Sequence, residues 1–108
     1  MASYYSYMAS LHYYVYITTN PAKTTLYIGM TNNLERRILE HVHNANTNPN
    51  AFTGKYHCCN LIYFEIYQTA KEALLREKQI KTWRREKKEA LIATTNPEWN
   101  ILTEGFLL

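Results

Sequence analysis

The chain has 108 residues, 46% of them hydrophobic and 19% charged, with a formal net charge of +3. That length makes one domain, able to bury roughly two-thirds of its unfolded surface without a disulfide or metal to hold it. All nine acidic side chains are glutamates, serine occurs only at positions 3, 6 and 10, and the glycines are Gly29, Gly54 and Gly105. Those absences exclude Ser-His-Asp triads, Asp-built metal clusters, a nucleophile elbow and a phosphate-cradling glycine loop.

No apolar run reaches membrane length or resembles a signal-peptide core. Cys58 and Cys59 are adjacent, which disfavours a disulfide between them, so a reduced, cytoplasmic setting is expected. Charge is unevenly placed: from Lys71 to Lys88, eight Lys or Arg face three Glu, a local balance of +5. With Trp83 inside it, this segment is compatible with a phosphate-rich partner, although on charge alone a solvated helical face is the more ordinary reading.

In chain order, residues 1–11 are Ser-, Tyr- and Ala-rich without periodicity and read as a loose arm. "HYYVYITT" and "TLYIGM" read as two strands joined through "NPAKT" into a hairpin. Alternation puts Val15, Ile17, Leu26 and Ile28 on an aliphatic core face. It puts Tyr14, Tyr16, Thr18, Tyr27 and Gly29 on an opposite, phenolic face, with Gly29 leaving space. Asn33 is placed to cap a helix running to about His43, with Leu34, Ile38 and Val42 as its core stripe. Arg37 and His41, four residues apart, stack beside that stripe.

The polar segment "NANTNPNAFTGKY" reads as a loop, and "NLIYFEIYQ" as a third strand. Thr69 and Glu72 form a capping box that opens a helix near Ala70. Its expected stripe is Ala70, Ala73, Leu74, Glu77, Ile80 and Trp83, with a carboxylate at an apolar position. A last helix is expected from Arg85 to about Ala93, with a tail from 103. The order β-β-α-β-α-α predicts a small α/β (α+β) fold around a three-stranded, antiparallel-type sheet.

Glu77 is the first candidate for chemistry. A buried carboxylate needs a cation, a donor or a metal, and a neighbouring Lys or Arg is the simplest partner. Arg37 could stabilise a pentavalent phosphate, and His41 could orient or deprotonate a tyrosine. Tyr16 and Tyr27 would need cations or a histidine to act as bases, and strand tyrosines ordinarily just pack. A zinc site from His41, His43, Cys58 and Cys59 fits no usual ligand spacing.

Together these residues resemble the GIY-YIG nuclease domain, over about His12 to Asn100. Tyr14-Val15-Tyr16 stands at the first signature, with Tyr14 in place of glycine, and Tyr27-Ile28-Gly29 matches the second in full. Arg37, eight residues after Gly29, falls where the family carries its catalytic arginine, and His41 where many members keep a histidine. "EALLREKQIKTWRR" resembles the metal-binding helix with Glu77 as ligand, and "NPEWN" the closing motif, with Asn100 bracing the site alongside Gly29. With "FTGKY", the pattern is closest to small single-domain bacterial proteins grouped with the excision-repair nuclease N-terminal domain.

The resemblance implies phosphodiester hydrolysis in DNA, branched or damaged DNA included and RNA left open, with a link to DNA repair and no membrane partner. One Mg²⁺ or Mn²⁺ would sit on Glu77, Tyr16 or Tyr27 would activate water with His41 relaying, and Arg37 would neutralise charge. Lys78, Lys81, Arg84, Arg85, Lys87 and Lys88 would contact nucleic acid. The alternative is a non-catalytic nucleic-acid-binding or partner-binding module that keeps the fold.

Overall fold

The computed structural model describes residues 12–47 and 57–102. The expected N-terminal arm, most of the polar loop with its "FTGKY" motif, and the tail from 103 lie outside the described residues. Six elements form in the expected order: β1 (Tyr13–Thr19), β2 (Leu26–Thr31), α1 (Leu34–Thr47), β3 (Asn60–Tyr67), α2 (Ala70–Lys81) and α3 (Arg85–Ala93). β1 is the central strand, antiparallel to β2 on one side and β3 on the other.

Local chemistry sets the element ends. Asn20 closes the β1–β2 hairpin, its Oδ1 accepting from the backbone N–H of Thr24 and Thr25 at 2.8 and 3.0 Å. Asn33 caps α1 as expected, its Oδ1 accepting from Arg36 N at 3.1 Å. α1 runs to Thr47 rather than stopping near His43, because no glycine or proline interrupts it before Pro49. Thr69 caps α2, accepting from Glu72 N at 3.2 Å while its hydroxyl donates to the Glu72 carboxylate at 2.9 Å.

Helices cover both faces of the sheet. Val15, Ile17 and Ile28 pack against Ala73 and Ile80 of α2 and Ile92 of α3. Tyr16 packs on the other face with Leu34 and Ile38 of α1 and with Leu61. The expected division into core face and phenolic face is therefore corrected: the phenolic face is a second core, with Tyr16 fully buried. The α2 stripe is also thinner than expected. Only Ala73 and Ile80 are buried, Ala70 and Leu74 are exposed, and the helix ends before Trp83.

Two long-range ties hold the C-terminal part. Arg85 donates to the backbone oxygens of Thr24 and Lys23 at 2.6 and 3.1 Å and to Glu89 at 3.1 Å, and it lies over the Trp99 ring. It bolts α3 to the hairpin. Asn96, buried beyond α3, donates to Ile62 O and Asn100 O at 2.8 and 2.9 Å and accepts from Asn100 N at 2.9 Å.

Candidate active site

The site grows from one cross-strand pair. Tyr16 on β1 faces Gly29 on the edge strand β2, and the hydroxyl end of the phenol lies against the glycine. A Cβ at position 29 would collide with the Tyr16 hydroxyl and its ring carbon Cζ. Glycine is thus required here for close approach and not for a special backbone angle. With that space, the Tyr16 hydroxyl reaches α1.

There it meets two side chains one helical turn apart. His41 Nε2 lies 2.9 Å from the hydroxyl, and Arg37 Nε donates to the phenol oxygen at 3.2 Å. With the oxygen accepting from Arg37, the phenol proton points to His41 Nε2. His41 then carries its own proton on Nδ1. That atom is buried and has no partner among the described residues. Tyr27, half-buried, completes the cluster: its ring centroid lies 5.2 Å from that of His41 and 6.3 Å from that of Tyr16.

The electrostatics follow from burial and from the Arg37 charge. Burial pushes the Tyr16 phenol up to about 12; the Arg37 bond and charge pull it back, while Tyr27 and Glu77 add to the rise. Burial first, then Arg37, hold His41 down at about 4, so the imidazole is neutral near pH 7. For Arg37, burial works against the charge, but hydrogen bonds to Tyr16, Glu40 and Tyr27 more than compensate and hold the guanidinium protonated.

These findings meet independent comparisons. Residues 12–90 match the family model described as the GIY-YIG catalytic domain. The chain belongs to the GIY-YIG family. It is similar to a UPF0213 protein of Haloquadratum walsbyi, 39% identical over 80 residues that cover 74% of this chain and 85% of that relative. A UPF0213 protein of Natronomonas pharaonis is 38% identical over 86 residues, covering 80% and 95%. The solution NMR structure of a UPF0213 protein from Bacillus halodurans matches with a TM-score of 0.52 and 25% identity, over 86% of this chain and 95% of that one.

In this GIY-YIG domain, Glu77 comes from α2 and its charge reaches Tyr16. Its side chain is 15% exposed and pairs with Lys81, one turn on, at 3.1 Å. The expectation that a neighbouring Lys or Arg partners this carboxylate therefore holds. No group of three or more His, Cys or Glu that could hold a metal gathers among the described residues. One carboxylate does not make a zinc cage. It does fit a hard cation such as Mg²⁺ or Mn²⁺, which keeps most of its waters and shares phosphate oxygens.

The structure thus brings together Tyr16, Tyr27, Gly29, Arg37 and His41, with Glu77 in electrostatic range. Asn100 lies exposed and is itself held by Asn96, the buried asparagine that braces this segment. Asn96 carried a readable signal: an asparagine before Pro97, just past a helix end, is placed to satisfy backbone groups. Of the six basic residues, Arg85 has its guanidinium engaged by the hairpin and Glu89, and Lys81 pairs with Glu77. Lys87 lies over the Trp83 ring at 4.3 Å, on the outer corner between α2 and α3.

Proposed function

We propose that this chain is a metal-dependent endonuclease that hydrolyses phosphodiester bonds in DNA. The observation that carries the reading is the Tyr16 hydroxyl held between a charged Arg37 and a neutral His41. Glu77 would hold one Mg²⁺ or Mn²⁺, which when bound supplies charge to polarise the scissile phosphate and steady the leaving oxygen. Arg37 borders an open concavity on α1 with Arg36, Leu39, Glu40, His43 and Asn44, where a phosphate can approach its guanidinium. There it neutralises charge that develops at the phosphorus.

Burial divides the two tyrosines. It raises the Tyr16 phenol and lowers the His41 imidazole, so both shifts oppose moving the Tyr16 proton onto His41. Tyr16 and His41 accordingly hold the cluster in register. Tyr27 is the half-buried phenol of the pair, hydrogen-bonded to Arg37, and is the one placed to take the proton from water.

The competing reading, a module that binds nucleic acid without cutting, draws on the basic corner around Lys78, Lys87 and Lys88. The test is incubation of branched, single-stranded and duplex DNA with the protein, in Mg²⁺ or in chelator. Metal-dependent cutting that Glu77→Ala abolishes is expected; equal cutting by both proteins, or none on any substrate, sinks the enzyme reading. Lys87→Ala with Lys88→Ala should instead weaken binding and lower its log–log salt slope by about 2.

A further inference from the structure

Adjacent residues on a helix point about 100° apart. On α2, Arg76 and Glu77 flank the direction set by the buried Ala73 and Ile80, one on each side. Arg76 reaches β3. Its Nε and Nη2 donate to the two oxygens of Glu65 at 2.9 and 3.0 Å, a bidentate fork. The same carboxylate accepts from the hydroxyls of Tyr63 at 2.5 Å and Tyr67 at 2.6 Å. The Arg76 guanidinium is further fixed by Gln79 at 2.9 Å and by the Trp83 ring, 5.1 Å from its centroid.

Only two side chains of this helix, Ala73 and Ile80, are buried in the core. Leu74 is 42% exposed, on the Glu77 side of the buried stripe. Rolling α2 towards Leu74 would cover that side chain at the expense of Ala73 and Ile80, would turn Glu77 further inward, and would pull Arg76 off Glu65. The fork opposes that roll.

We propose that Glu65 and Arg76 are a positioning pair that holds the roll of α2 and so fixes where the Glu77 carboxylate stands. Glu65 sits opposite Val15, on the sheet face away from Tyr16, and acts only through the helix. The pair's role rests on the metal reading of Glu77 given above. Glu65→Gln keeps the size of the side chain but removes the charge that grips Arg76; Arg76→Lys keeps the charge but removes the fork.

The experiment is Mn²⁺ binding by calorimetry, without nucleic acid, on the wild type, Glu65→Gln, Arg76→Lys and Glu77→Gln. Thr69→Ala serves as a control that loosens α2 at its cap without touching the fork. Glu65→Gln and Arg76→Lys should each weaken Mn²⁺ by about tenfold. The double variant should be no worse than either single one, and Thr69→Ala should leave the affinity unchanged even where its loss in Tm matches theirs. Wild-type affinity in Glu65→Gln, or an equal loss in Thr69→Ala, overturns the positioning role and leaves the metal reading standing. A wild type that binds no Mn²⁺, or a Glu77→Gln that binds as well, overturns the metal reading and the pair's role with it.

Discussion

The sheet carries a tyrosine–arginine cluster on each face, and the two are built to opposite rules. On the α2 face, Glu65 receives two phenols and both arms of Arg76. Burial would raise its pKa, yet Arg76 and the two tyrosines hold the carboxyl below the usual range. Charge and donors there are matched within the chain. On the α1 face, Tyr16 meets a cation and a neutral imidazole, the cation's carboxylate partner is the half-exposed Glu40 at 3.2 Å, and His41 Nδ1 has no partner among the described residues. A closed cluster of this kind locks elements together; an open one, whose cation is paired only with a solvent-exposed carboxylate, can exchange that partner for another anion.

The sharpest way to break the comparison is to fill the space under Tyr16. Gly29→Ala should cut cleavage by at least about a hundredfold, since the phenol must leave its place between Arg37 and His41. Overpacking should also lower stability by about 1–3 kcal/mol, read by urea titration. Wild-type cleavage with an unshifted midpoint would show that the hydroxyl needs no such placement.

Acid should open the α1 cluster next. His41 binds its proton near 4 in the fold against 6.5 when free, so the unfolded chain holds more protons between those values. Stability from this group is therefore complete above pH 6.5 and is lost on the way to pH 4, by on the order of 3 kcal/mol. His41→Asn should flatten that part of the stability–pH curve. An equally steep curve in the variant would place the proton uptake elsewhere.

The smallest effect is expected in the closed cluster. Tyr67→Phe removes one of four donors to Glu65 and should cost about 1 kcal/mol of stability, with cleavage near the wild-type rate. A loss of cleavage larger than the loss of stability would mean that the two faces are not separate.

What was legible in the sequence was local. The Asn33 cap, the Thr69–Glu72 box and the extent of α3 follow from residues a few positions apart, and the structure has all three. Alternation also placed Tyr16, Tyr27 and Gly29 on one face, and spacing chose Arg37 over Arg36. Alternation cannot say what covers a face, which is why the burial of Tyr16 under α1 was not foreseen. Nor can one chain position reveal a distant partner. The Glu65–Arg76 fork spans eleven residues and the Arg85 tie to Thr24 spans 61. From sequence, Arg85 looks like its basic neighbours and Leu74 like its apolar ones; only the packing of α2 and α3 tells them apart.

The most direct test is Arg37→Ala in a single-turnover cleavage assay, run beside DNA affinity measured in chelator. Cleavage should fall by about a thousandfold, because the charge acts on the transition state, while affinity changes by less than about fivefold. Cleavage close to the wild-type rate, or an affinity loss as large as the rate loss, would contradict an active site centred on Tyr16, Arg37 and His41.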